Sequence, residues 1–576
     1  MISIWKRWTG RVSSTFTRTP SKAKAVRRRA HLRPVALVGV VVMALAACSG
    51  GGGADAENSA QTKDTLRIAL SSFGNEQLDI VEEAGQVASN ILLPMYDSLL
   101  EIGKDSSIQP GLAESWNTSE DGLTWTFKIR DGVQFHGGYG ELTARDVVFS
   151  IKRWMDPASQ STEGPTLREK IKSLDAPDDR TVVIKTNGVQ VDLAYYFAPQ
   201  QANSGTVMSE KYLTEGGTSG FAAQNAKMNE KPIGTGPFQF VSRQRGQKVV
   251  FEAVSNHWRA KPAMKRLEFL LVPEPATQVA MLQSGQADII EATSENVESI
   301  ESSGNEVRSI KDAMGIALLF TGTYRPPAQK KATSDANVRH ALSMAIDRKT
   351  ILKQVLGGHG TMPDTPFDTV ASSSAIDPDH YKKIAAEWQR YDPEAAKKML
   401  ADAGYANGFD GVKMITFTRP GAAFLPQLGE IIASQWAEVG VKTPIVAIDY
   451  GNFRPHFVQT KDSDTFNAGD VSPYNQATRF EAVDLLRTYY QDDEGFIRAV
   501  RNPDLDALIR KAAAEQDEEA RTELVSQAFD IVHAEWTIVP LFRVDALYGV
   551  NSETVGAWHT FPGWGFLGRM IETIEP

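Results

Sequence analysis

GLAESWNTSEDGLTWTFKIRDGVQFHGG, residues 111–138, runs almost directly into LTARDVVFSIKR, residues 142–153. Within it Trp125, Phe127 and Ile129 alternate with Thr126, Lys128 and Arg130, the period of a strand with one buried and one wet face. Asp121-Gly122 and Asp131-Gly132 are turn dipeptides on either side of that strand, a hairpin arrangement. Thr143, with Asp146 three residues on, reads as a capping box ahead of Val147, Val148 and Ile151. A turn-bounded strand that leads into a capped helix predicts mixed α and β structure in one body.

The rest of the chain repeats the pattern. β-branched and aromatic runs predict strands at Thr65–Leu70, Thr181–Thr186, Lys248–Val254, Leu267–Val272, Val441–Ile448 and Thr537–Phe542. Asp392-Pro393 opens a predicted helix that ends at Gly404, with Ala396, Met399, Leu400 and Ala403 on its apolar face. Asn502-Pro503 is a second such start, leading into Leu505, Leu508, Ile509 and Ala512. Strands and helices of these lengths, without strict alternation, predict an α/β protein whose segments are shared among several domains. No repeat of 20–50 residues interrupts it.

The extreme N-terminus is a separate object. Residues 1–34 carry ten Lys or Arg and no acid, and Val35–Ala47 is an apolar run of 13 residues ending at Cys48. A bilayer-spanning helix needs about 20 residues, so a basic segment with this short core reads as an export signal. LAAC, residues 45–48, resembles the bacterial lipobox, which implies cleavage before Cys48 and diacylglyceryl transfer to its thiol. The alternative is an ordinary small buried thiol. Residues 48–63, rich in Gly, Ala and Ser, have the composition of a flexible tether.

Removal of residues 1–47 leaves 51 basic and 71 acidic residues, a formal charge of −20 that argues against nucleic acid as a partner. Cys48 is the only cysteine, so no disulfide holds the exported body and its core must be large.

The 111–138 segment resembles the family 5 extracellular solute-binding proteins, which include oligopeptide- and dipeptide-binding proteins. Further blocks of that resemblance follow in order: IGTGPFQF at 233–240, Asn256-His257-Trp258, MLQSGQADI at 281–289, NVRHALSMAIDRKTIL at 337–352, YDPEAAKKMLADAGY at 391–405 and IVPLF at 538–542. The resemblance implies a two-lobed clamshell of the periplasmic-binding-protein type with three domains, the first discontinuous. Residues 64–103, 188–273 and 537–576 would form domain I, 104–187 domain II and 274–536 domain III. It also implies a small solute buried where the lobes meet, an ABC permease and its ATPases as partners, a monomer, and no cofactor or metal. Anchored through Cys48, such a protein would sit on the extracytoplasmic face of the cell membrane. Most of the blocks are turns and caps that identify a fold: Gly234, Gly236 and Pro237 make a backbone bend, Asp347 caps a helix, and His136 is structural.

In peptide-binding relatives a cleft strand resembling F-D-x-A-x-x-G-W carries a nearby Asp that neutralises the peptide ammonium. The corresponding stretch, TFNAGDVSPYNQATRF at 465–480, departs from that pattern and lacks the acid at its family position. Asp470 is the substitute candidate, with a solvated loop acid as the alternative reading. Ser472, Tyr474 and Asn475 supply hydroxyl, aromatic and amide groups beside it. By the same resemblance Ser72, Phe73 and Asn75 follow the first strand as contacts from the first lobe. Phe320 and Thr323 occupy the comparable strand of the second, although each aromatic among the chain's 50 is as readily a core residue.

The competing classes are a secreted, lipid-anchored hydrolase and a ligand-presenting sensor or surface protein with the same fold. The nine histidines show no H-E-x-x-H spacing, and the sequence has no G-x-S-x-G elbow, C-x-x-C pair or phosphate loop. Dispersed carboxylates leave a glycosidase pair open. The expected function is capture without turnover.

Overall fold

A computed structural model describes residues 64–82, 86–103, 107–161, 163–199, 205–364, 369–418, 421–449, 452–453, 468–476, 479–492, 497–560 and 565–576. The stretches read as an export signal and a tether, with Cys48, lie outside them. Among the described residues no helix is long and apolar enough to cross a membrane.

The 111–138 segment folds as its pattern predicts. Ala113–Thr118 and Thr124–Ile129 form an antiparallel hairpin, joined by Thr181–Thr186 and Ile171–Asp178 in a four-stranded sheet. Trp125, Phe127 and Ile129 are buried, and Gly122 and Gly132 hold positive φ of 70° and 77° in the flanking turns. The helix Ala144–Trp154 starts at Thr143, whose backbone N–H and hydroxyl both donate to the Asp146 carboxylate, at 2.9 and 2.7 Å. Gly234 and Gly236 press against the backbone of residues 94–96, where a Cβ has no room. His136 donates from Nε2 to the Gly236 carbonyl at 2.8 Å, and burial depresses its pKa to about 4, so the ring is a neutral strut.

The main sheet has eleven strands, mixed in direction. Four matter below: β1 (Thr65–Leu70), β2 (Glu306–Phe320), β3 (Val471–Gln476) and β4 (Ile538–Val550). β1 lies parallel between Arg266–Leu271 and Ile289–Ala292, and Ile289–Ala292 pairs antiparallel with β4. β4 then pairs antiparallel with β2, and β2 with β3. β3 continues in parallel to Met414–Thr416 and Ile445–Ala447 at the far edge.

The apolar residues fall into two large clusters, and this divides the body into lobes. One gathers β1, the four-stranded sheet and the C-terminal turn around Met570; the other spans Met314 to Val544. β2 passes from the first at Ile310 and Ala313 into the second at Met314, and β4 returns between Val544 and Tyr548. The chain therefore crosses twice, through two adjacent, hydrogen-bonded strands. Residues 274–313 pack with the first lobe rather than the second, because Ile289–Ala292 is laced between β1 and β4 and Val279, Leu282, Ile290 and Ile300 pack on Ala69. Likewise Ile538–Val544 belongs to the second core, so β4 is longer than the Thr537–Phe542 run predicts and serves both lobes.

The predicted helices carry the predicted caps. Asp392 accepts from Ala395 N at 2.9 Å, Asn502 from the amides of Asp504 and Leu505, and Asp347 from Thr350 N at 3.0 Å. The predicted strand Val441–Ile448 is only Ile445–Ala447, an edge strand with little burial on either face.

Candidate functional site

The crossing sets the geometry. Between Ile310 and Met314 the β2–β4 register shifts, and Asp312 takes a positive φ of 51°. The Asp545 carboxylate, on β4 and almost wholly buried, receives Lys311 Nζ at 2.6 Å and the Asp312 N–H at 3.3 Å. Thr361 adds a hydroxyl bond to the Asp312 carboxylate at 2.9 Å. A bulge pinned by side chains marks the place where β2 leaves one core for the other.

The carboxyl ends of β1 and β3 both run toward this crossing. Gln476 lies opposite Gly315, the second residue of β2 beyond Ala313, and the Ser71 N–H after β1 is held by Glu291 at 2.6 Å. The carboxyl ends of these two strands therefore approach the junction of the lobes from opposite sides.

The residues read from sequence separate into four groups there. Ser472, Tyr474 and Asn475 lie in β3, opposite Leu319, Ala317 and Ile316, and all three are buried. After β1, Ser72 accepts the Gly74 N–H at 3.1 Å, Phe73 is buried in the first core and Asn75 is exposed. Phe320 is a core residue, fully buried and stacked on Trp436 at 6.2 Å, with Thr323 buried just beyond β2. Asp470 is neither a waiting carboxylate nor a solvated loop acid. It is 1% exposed and receives Lys331 Nζ at 2.5 Å and the Lys413 N–H at 2.8 Å. A charge already paired and hydrogen-bonded has little left to offer a ligand ammonium.

A second polar cluster joins the lobes through residues that sequence reasoning passed over. From the first lobe, Lys170 Nζ sits 2.7 and 2.9 Å from the two oxygens of Asp192, and Tyr196 lies one turn beyond Asp192. From the second come Arg479 and the helix α1 (Ala482–Tyr490). Arg487 Nη1 lies 3.0 Å from Asp192, and Tyr196 donates its hydroxyl to Asp484 at 2.8 Å. Arg479 closes on Asp484 at 3.0 Å, and Glu481 caps α1 by accepting the Asp484 N–H at 2.7 Å.

Burial dominates the electrostatics of this cluster. It opposes the Asp192 charge, but Lys170 and Arg487 outweigh it and hold the carboxyl below its usual range. Burial, with Asp192 nearby, raises Glu481 to about 8, so this carboxyl is protonated at neutral pH. The sequence carries only a weak signal for the cluster: Asp484 and Arg487 stand three apart in AVDLLRTYY, on one face of a helix whose other positions are mostly apolar.

The chain as a whole has counterparts among known proteins. Heme-binding protein A of Haemophilus influenzae is 28% identical over 590 residues, covering 90% of this chain and 99% of the relative. The dipeptide-binding protein of Escherichia coli is 29% identical, covering 77% of this chain and 82% of the relative. The binding protein AgaA of A. tumefaciens R10, solved with agropinic acid, matches with a TM-score of 0.70 at 23% identity, covering 89% of this chain and 98% of that one. It shares the fold, mixed α/β in two lobes. A family model for bacterial extracellular solute-binding proteins, family 5, matches residues 107–482, about two thirds of the chain. On that match the chain belongs to the family 5 extracellular solute-binding proteins, which bind substrates and are not enzymes.

Proposed function

We propose that this protein captures a small, peptide-sized solute outside the cytoplasm by closing its two lobes, and hands it unchanged to an ABC permease. The observation that carries this reading is the double crossing of β2 and β4 at a pinned bulge, with the carboxyl ends of β1 and β3 aimed at it from opposite lobes. Two strands allow one core to rotate against the other without unpacking either, and a solute favours the closed form by its contacts with both. Tyr474, Asn475 and Ser472 on one side, and Ser72 and Asn75 on the other, are the contacts we assign to it. The relatives' names, which run from heme to dipeptide, support a small organic solute without choosing one. Since Asp470 is paired with Lys331, a peptide ammonium held by Asp470 forms no part of the reading.

The N-terminal sequence supports an anchor: a basic segment, an apolar run of 13 residues and LAAC ending at Cys48. Acylation there would leash the mature chain to the outer face of the membrane, and two acyl chains suffice where one does not. Titration calorimetry with di- and tripeptides, followed by mass analysis of the recovered titrant, tests capture; saturable binding with intact titrant is expected, and conversion of the titrant would overturn it. For the anchor, the parent should partition into detergent and Cys48→Ser into the aqueous phase.

A further inference from the structure

The Lys170–Asp192 and Arg479–Asp484 pairs each lie within one lobe, whereas the Arg487–Asp192 and Tyr196–Asp484 contacts cross between lobes. Lys170 and Asp192 belong to chain that packs with Leu167, Ile171 and Leu193 of the first core; α1 contributes Val483, Leu485 and Leu486 to the second. Among the described residues, the cores are joined covalently only at the β2 and β4 crossings. Rotation about those crossings must therefore pull Arg487 from Asp192 and Tyr196 from Asp484.

We infer that these two cross-lobe contacts form a latch that holds the lobes closed without solute and so sets the affinity for it. The division of partners is what suits the cluster to repeated opening. When the lobes part, Asp192 keeps Lys170 and Asp484 keeps Arg479, so neither carboxylate is left buried without a cation. Among the cluster's cross-lobe donors, the Arg487 guanidinium and the Tyr196 hydroxyl change partners, and both gain water in exchange. A permanently buried pair that lost a partner would be far more costly to break. A neighbouring backbone bond, from Val191 N to Ala513 O at 3.4 Å, crosses the same seam and opens with it. The inference rests on the two-lobed capture reading, but it concerns the solute-free protein.

Cys48 is the only cysteine, which allows spin labels to be placed by substitution. On a Cys48→Ser background, labels at Lys152→Cys and Lys398→Cys, exposed positions of the first and second lobe, report the inter-lobe distance by double electron–electron resonance. The variants are Arg487→Met and the near-isosteric Tyr196→Phe, each checked for parental circular dichroism. Both are expected to raise the longer-distance, open population about fivefold or more without solute, the scale of a coupling between sites. Dipeptide affinity, titrated in parallel, should fall in proportion to the closed fraction that remains. Distance distributions that superimpose on the parent's in both variants would overturn the latch, while dipeptide binding by the parent would leave the capture reading standing. A distance shift in the variants, with a parent that binds no dipeptide, would support the latch and count against that reading alone.

Discussion

The backbone N–H of Asp312 donates to the carboxylate of Asp545 at 3.3 Å, across the two strands that join the lobes. Asp312 stands at φ 51°, a conformation that costs a β-branched residue more than it costs Asp or Gly. The Asp545 side chain is 1% exposed, so its removal deletes a buried acceptor at the bend.

Loss of that acceptor should be felt as stability. Asp545→Ala is expected to lose about 2 kcal/mol, the scale of hydrogen bonds to a charged group. Asp312→Val should lose ~1–3 kcal/mol from forcing a branched residue into the left-handed region. Asp312→Gly should stay closer to the parent than either. Urea unfolding of the three variants gives the ranking, and an Asp312→Val protein as stable as Asp312→Gly would refute the strained bulge.

The Asp470–Lys331 pair makes a different demand. Asp470→Ala leaves Lys331 without its partner and the Lys413 amide without its acceptor, and should lose about 3 kcal/mol. Lys331→Met in the same chain should recover part of that loss, giving a non-zero coupling in a double-mutant cycle. If Asp470 instead served a solute, Asp470→Asn would weaken binding while leaving the unfolding midpoint in place.

Glu481 gives the pH dependence a sign. Its pKa rises from an ordinary 4.5 unfolded to about 8 folded, because burial outweighs all else. Between those values the folded chain holds a proton that the unfolded chain releases, so this group's stabilising contribution is complete below pH 4.5 and is lost as pH rises toward 8. The slope is at most about 1.4 kcal/mol per pH unit. His136, with a folded pKa of about 4, acts oppositely below its ordinary 6.5, so the window from 6.5 to 8 is where Glu481 is seen most cleanly. The stability of Glu481→Gln minus that of the parent should grow across that window; parallel curves would contradict the protonated carboxyl.

Local features of this fold were legible in sequence because they depend on neighbours a few residues away. Thr143 with Asp146, Asp392 with Ala395 and Asn502 with Leu505 are such contacts, as is the alternation of Trp125, Phe127 and Ile129. Phe320 was read as a possible cleft aromatic, but its fate was settled by Trp436 on a distant helix. The partner that removes Asp470 from the cleft lies 139 residues upstream, and no spacing rule predicts it. The packing of Ile289–Ala292 was out of reach for the same reason: the segment gives no local sign that it will be hydrogen-bonded between β1 and β4. In the lobe junction, the spacing of the α1 charges was legible, whereas their partners Asp192 and Tyr196, almost 300 residues away, were not.

Capture without chemistry is most directly read by native mass spectrometry of the protein purified from cells without denaturant. A mass excess of one small molecule per chain, lost on unfolding and recovered at the same mass after prolonged incubation with the refolded protein, is the predicted result. A molecule altered by that incubation, or a chain that retains none from any preparation, would contradict the account.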